Sequence, residues 1–340
     1  MKKYWIGIIV LILVVVGVWL SSQYSSRIPK AKNHLYQEKI TIGMETWPGY
    51  LALIVARDKG YFQQAGLDVE IKRYVALGEL SKDYVAGKMQ GRANLTLDAV
   101  NEHLSGLDHK VVLAIDYSNG SDAIMARNDI KTVKDFQGKK VGFESNTLEE
   151  FFLAWALNEN NMKMSDIVSV SAGPSETPKL LKDGAIDVAV SHEPFISELS
   201  SSGNFHKAFS SAEAPGLITD ILTFRTNFVN SNPETIQTIV DVYFKALKFW
   251  KDNPDEANAI VAKEFTDTPE GIAEQLKGIT MLDEQDNQTA FTFAAGFQSL
   301  YGNMRLIADF VKQHRAGDEH NIDTDKLIDR RFIKATNEQN

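Results

Sequence analysis

The sequence predicts an α/β protein of two lobes with a ligand cleft between them. From about residue 39 onward, short apolar runs alternate with segments of helical spacing, the pattern of sheets covered by helices. The alternation falls into two series rather than one. The series meet at Val111 to Ala126, where the apolar run Val111 to Ile115 passes through a polar knot, Asp116 to Asp122, into the apolar run Ala123 to Ala126. Asn119-Gly120 in the knot tolerates positive φ, so the chain can turn sharply there. On local sequence alone the knot also fits a surface hairpin loop. Its place between two strand-helix series makes it a crossover between lobes and the floor of a cleft. With 340 residues, 44% hydrophobic and 24% charged, the chain has the length and composition for two ordinary cores.

Residues 1–20 read as a membrane segment. Lys2 and Lys3 precede an uncharged run from Tyr4 to Leu20, which as helix covers about 25 Å. A cleaved signal peptide has the same layout but needs small residues at its cleavage site. Cutting after Ser22 leaves Leu20 three residues back, and cutting after Ser25 leaves Gln23 there. The expectation is therefore an uncleaved anchor with the body outside the cytoplasm. Residues 21–38 are a polar tether. Residues 1–38 hold five Lys/Arg and one Glu, a surplus of +4, so the body carries −13 of the overall −9. A body of that charge has no attraction to nucleic acid.

The first lobe starts at residue 39 and runs to 120. Lys39 to Met44 alternates as a strand, Trp47-Pro48-Gly49 breaks it, and helical spacing follows to Gly60, a C-cap signal. Val69 to Tyr74 is a strand, Leu80 to Ala86 a helix, Gly91 to Leu95 a strand and Ala99 to Leu104 a helix, before Val111 to Ile115 closes the series. The second lobe, 121–216, holds strands at Ala123, Lys139 to Phe143, Ile167 to Ser171 and Ile186 to Val190. Its helices are Leu148 to Leu157, with Thr147 and Glu150 at capping-box spacing, and Glu176 to Lys182. Leu217 to Arg225 returns to the first lobe, and 217–340 continues mostly as helices: Pro233 to Trp250, Pro254 to Phe265, Pro269 to Met281, Thr289 to Tyr301 and Met304 to Val311.

Several stretches resemble a known family. Tyr50 to Glu70, containing Ala-Arg-Asp-Lys-Gly-Tyr-Phe, resembles the opening signature of the nitrate/sulfonate/taurine group of ABC-transporter substrate-binding proteins, which includes thiamine-precursor-binding-like members. Val133 to Gly142, Leu181 to Ala189 with Glu193-Pro194, and Phe249 to Ala257 follow in the family's order. The resemblance implies a type II periplasmic-binding-protein fold, two crossovers, a small-molecule ligand held between the lobes, and an ABC permease as partner. Members of the group are usually released or lipid-anchored, so a retained N-terminal transmembrane helix would be a departure.

Ligands of parallel sheets bind beyond the carboxyl ends of the strands. That rule selects Glu45 and Trp47, Asp98, Asp116, Asn119 and Asp122, Ser145, Asn146 and Thr147, and His192 with Glu193 as the candidate ligand-binding set. Helix capping is an equal claim on Ser145, Asn146, Thr147 and Asp98, and His192 also fits a packed or surface histidine. Trp47 before Pro-Gly is unusual in a turn and suits stacking on a ligand. The selected loops are rich in carboxylates and hold no Lys or Arg, which suits an amine, amidine or nitrogen heterocycle better than nitrate or sulfonate.

No HExxH, CxxC, GxSxG or P-loop pattern occurs, and cysteine is absent. The expectation is a monomeric binding protein with no catalytic residue, metal or cofactor, either delivering its ligand to an ABC transporter or reporting its bound state to a membrane receptor.

Overall fold

The computed structural model describes residues 35–74, 77–314 and 323–334. The expected anchor, 1–20, and most of the tether lie outside the described residues. Among the described residues, no helix is long and apolar enough to cross a membrane.

Two sheets form the frame. The strands are β1 (Ile40–Met44), β2 (Val69–Arg73), β3 (Gly91–Leu95), β4 (His109–Ser118), β5 (Asp122–Arg127), β6 (Lys140–Phe143), β7 (Val168–Ser171), β8 (Val188–His192), β9 (Phe205–Ser210), β10 (Thr219–Arg225) and β11 (Ile279–Met281). One sheet has the order β11-β4-β10-β3-β1-β2 and the other β7-β6-β8-β5-β9. The chain passes between them at residues 119–121 and again at 211–218.

Uniform strand-helix alternation predicts parallel sheets, but both are mixed. β5 runs antiparallel to β8, and β10 runs antiparallel to both β3 and β4. β5 and β10 are the first strands after the two crossings, and each starts beside the end of a parallel strand: Asp122 stands opposite His192 at the end of β8, and Asp220 opposite Leu95 at the end of β3.

β4 is buried on both faces, which explains its unbroken apolar run. Val112, Leu113 and Ile115 join a core shared with helices Leu51–Asp58, Pro233–Asp252 and Pro254–Phe265. Val111 and Ala114 join a second core that continues through Ile124 of β5 to Phe151, Phe152, Met304 and Ile307. Helices Leu148–Glu159 and Leu300–His314 meet in that core, with the Phe151 and Phe310 rings 5.0 Å apart edge to face. One hydrophobic cluster thus spans both sheets.

Three stretches differ from the expected helices. Pro269–Leu276 is helical, but 279–281 is strand β11, paired with β4. Gly278 makes the break. Its carbonyl accepts from the backbone N–H of Asn119 at 2.7 Å and Ser121 at 3.2 Å, and a Cβ there would lie 2.3 Å from Ser121 Oγ. The helix expected over Thr289 to Tyr301 ends at Ala290, capped at its start by Asp283, and the next begins at Leu300. The second lobe also gains helix Phe195–Ser201 and strand β9 in a stretch without periodic signal.

Candidate functional site

Trp47-Pro48-Gly49 acts as a local unit after β1. Pro48 opens a short 3-10 turn that delivers the chain into helix Leu51–Asp58. The Trp47 indole N–H donates to Asp116 Oδ1 at 3.3 Å. Gly49 leaves room for that carboxyl group, since a Cβ on it would lie 2.1 Å from Asp116 Oδ2 and 2.6 Å from Trp47 Nε1. One turn motif therefore seats a buried aspartate.

Asp116 is fully buried and stands directly opposite Asp220 across the β4–β10 ladder. Directly opposed residues place their side chains on one face with Cβ atoms about 5 Å apart, so the two buried carboxyl groups are neighbours. Tyr50, from the same turn, donates its hydroxyl to Asp220 Oδ1. Asp116 Oδ2 receives no hydrogen bond from any N–H or hydroxyl group. Burial raises both carboxyl groups well above the usual range, each being raised further by neighbouring carboxylates.

Across the crossover, Asp122 opposes His192 in the β5–β8 pair. Burial raises Asp122, His192 opposes the rise, and Glu149 and Glu193 add to it. The His192 ring packs edge to face on Phe195, with Nδ1 2.8 Å from the Glu193 carbonyl. Glu45 is pushed up to about 8 by burial and by Asp98, Glu149 and Asp122, against the pull of Arg92. Arg92 is fully buried in β3. It reaches Asp98 at 3.2 Å, Glu102 at 2.9 Å and Ser81 at 2.9 Å.

The structure thus brings Glu45, Trp47, Asp98, Asp116, Asp122, His192 and Glu193 into one electrostatic neighbourhood, and adds Asp220, Glu149, Tyr50 and Arg92. Asp220 carried one sequence signal: it is a lone acid inside an apolar strand. It was missed because the strand-end rule looks after parallel strands, and Asp220 begins an antiparallel one. The remaining candidates are placed differently. Asn119 is exposed and braces the crossover, its side chain donating to Thr280 Oγ1 at 3.2 Å. Ser145 and Asn146 are exposed. Thr147 caps helix Leu148–Glu159 through the Glu149 N–H, while Glu150 accepts from the Asn146 N–H rather than from Thr147, so the capping box is shifted by one residue. Thr147 also hydrogen-bonds the Glu149 carboxylate, which links this loop to the acids.

Among the described residues, no group of three or more His, Asp or Glu side chains is arranged to hold a metal ion. An apolar groove of about 400 Å³ between helices Leu148–Glu159 and Leu300–His314 lies elsewhere and includes none of the candidate residues.

Residues 47–257 match the family model described as NMT1/THI5 like. The chain belongs to the NMT1/THI5-like family. A Brucella abortus protein provisionally named a binding protein is 27% identical over 228 residues, 62% of this chain and 66% of that one, just short of two thirds of the relative's length. A Bacillus subtilis protein provisionally named an aliphatic sulfonates-binding protein is 23% identical over 315 residues, 90% of each chain. The crystal structure of the periplasmic aliphatic sulphonate binding protein of Escherichia coli superposes with a TM-score of 0.72 at 16% identity, over 86% of this chain and 98% of that one. This chain therefore has the periplasmic-binding-protein fold of that structure.

Proposed function

We propose that this NMT1/THI5-like chain is an extracytoplasmic solute-binding protein whose cleft takes an organic cation, an amine, amidine or protonated nitrogen heterocycle, for delivery to an ABC permease. The observation that carries the ligand class is the sign of the charge. Glu45, Asp98, Asp116, Asp122, Glu149, Glu193 and Asp220 converge, while the guanidinium of Arg92 is already engaged by Asp98 and Glu102. An ionised carboxylate about 4 Å from a bound anion costs roughly 1–4 kcal/mol, depending on screening. Against a cation the same groups become charge-assisted acceptors. Trp47, half-buried beside Asp116, offers an aromatic surface for a flat cation.

Calorimetry against nitrate, taurine and ethanesulfonate on one side, and primary amines, benzamidine and 4-aminopyrimidine on the other, tests this reading. Binding is expected only in the second group, weakened about ten-fold or more by Trp47→Ala. Binding of the first group alone would overturn it. A second reading has one observation in its favour. Glu45, Asp116, Asp122 and Asp220 are raised, and a protonated carboxyl group can donate to an oxyanion, as the sulfonate named for the Bacillus relative would require. The two readings differ in pH dependence, since an anion bound this way would tighten as pH falls and a cation as pH rises.

The apolar run Tyr4 to Leu20 supports attachment of the body to the outer face of a membrane, with the permease or a receptor reading its ligand state there. Expressed from Met1, the protein is expected to stay with membranes after a high-salt wash. An N-terminus found between Ser21 and Asn33 in the processed protein would show cleavage instead.

A further inference from the structure

We propose that Asp116 and Asp220 hold one proton between them in the empty cleft, and that an entering organic cation displaces it, so that each binding event releases a proton. The inference rests on the cation reading above for its second half only. Its first half stands on the geometry of the pair. The two carboxyl groups project from directly opposed positions on β4 and β10, and both are buried. Two ionised carboxylates have acceptors only and repel each other at that spacing, so a buried pair with no cation beside it calls for a proton on one of the two.

The surroundings specify one proton rather than none or two. Trp47 Nε1 donates to Asp116 Oδ1 and the Tyr50 hydroxyl to Asp220 Oδ1. Each carboxyl group therefore has an external donor on one oxygen, which stabilises one negative charge over the pair. The fully buried Asp116 Oδ2 has no N–H or O–H donor of its own unless a proton lies between the acids. The other titratable groups facing the pair are Glu45 after β1, Asp122 at the start of β5 and Tyr243 from helix Pro233–Asp252, whose hydroxyl lies 3.3 Å from the Ile115 carbonyl. None is a cation, and Glu45 and Asp122 disfavour a second negative charge. β11 sets the neutral Met281 opposite Asp116.

A bound amidinium or protonated ring would supply N–H donors in place of the shared proton. That proton passes to solvent, the pair goes from one negative charge to two, and the ligand's positive charge offsets the change. Neutral molecules of the same shape cannot do this, so the pair selects for charge as well as for fit.

The Trp47 indole N–H reports on Asp116 directly and needs no ligand. In the ¹⁵N-tryptophan spectrum, assigned with Trp47→Phe, its resonance is expected to titrate once between about pH 5 and pH 9. In Asp220→Asn the midpoint should fall by about one unit or more, because no second acid shares the proton. In Tyr50→Phe, which removes a donor to the anion, it should rise. No titration of Trp47 in that range, or a midpoint unmoved in both variants, overturns the proposal. The second half is read by calorimetry with benzamidine in phosphate and in Tris at pH 7. The binding enthalpies are expected to differ by the ionisation enthalpy of about one proton per site, and equal enthalpies would overturn coupled release. If benzamidine and the other cations do not bind at all, the cation reading fails, while the Trp47 titration still decides whether the pair holds its proton.

Discussion

Between about pH 5 and pH 8 the ligand-free protein is expected to lose stability rather than gain it. Glu45, raised to about 8, and Asp116, Asp122 and Asp220, raised by burial, bind protons more tightly folded than unfolded. Their contribution is fully present below the unfolded value of about 4 and is lost as pH rises through the folded values. Each carboxyl group that stays protonated only in the folded state costs about 1.4 kcal/mol per pH unit across that window. His109 opposes this on the acid side. Burial pushes it down to about 4, so its contribution is present above about 6.5 and is lost as pH falls. One histidine against several acids leaves the net slope negative in the upper part of the range. Urea midpoints at about pH 5.5, 7 and 8 check this, and a flat or rising profile would mean that the acids are ionised and solvated in the folded protein.

Arg92→Met is expected to destabilise the fold by about 3–5 kcal/mol near pH 8, the usual effect of removing one partner of a buried charge cluster. Arg92 is 0% exposed, its Glu102 partner 11% and its Asp98 partner 31%. Its guanidinium also lies 5.5 Å from the Tyr84 ring centroid. Methionine fills much of the volume, so the loss reports on charge rather than on a cavity. The loss should shrink at about pH 5.5, where the abandoned carboxyl groups can take up protons. Arg92→Lys should fall in between, because an ammonium cannot reach Asp98, Glu102 and Ser81 from one planar group. A loss under about 1 kcal/mol at pH 8, measured by urea unfolding, would show that water or protons satisfy Asp98 and Glu102 without Arg92.

The two cores and most strands were legible because each element has a local cause. The double-sided burial of β4 is written in Val111 to Ile115 as an unbroken apolar run. The C-cap at Gly60 is written in its residue type, and the structure gives it φ 67°. The fold class followed from the number and alternation of such elements and from the stretches that resemble the family. Where a cause was tertiary, the sequence misled. Gly278 falls inside the helix expected over Pro269 to Met281, yet the chain breaks there, where its carbonyl is held by the crossover backbone more than 150 positions away in sequence.

The candidate site divides along the same line. By itself the sequence determined the residue types after the parallel strands, and with them the run of carboxylates there, because the strand-end rule depends only on where strands stop. Only the tertiary structure decided which acids face one another. Asp220 stands at the start of β10, which enters after the second crossing and runs antiparallel to β3 and β4. That reversal sets Asp220 opposite Asp116, and the Trp47-Pro48-Gly49 turn supplies the space and the N–H that hold Asp116 in place. Charge is a property of the residue and can be counted along a chain. Proton sharing is a property of a distance, and that distance exists only once two strands far apart in sequence have paired.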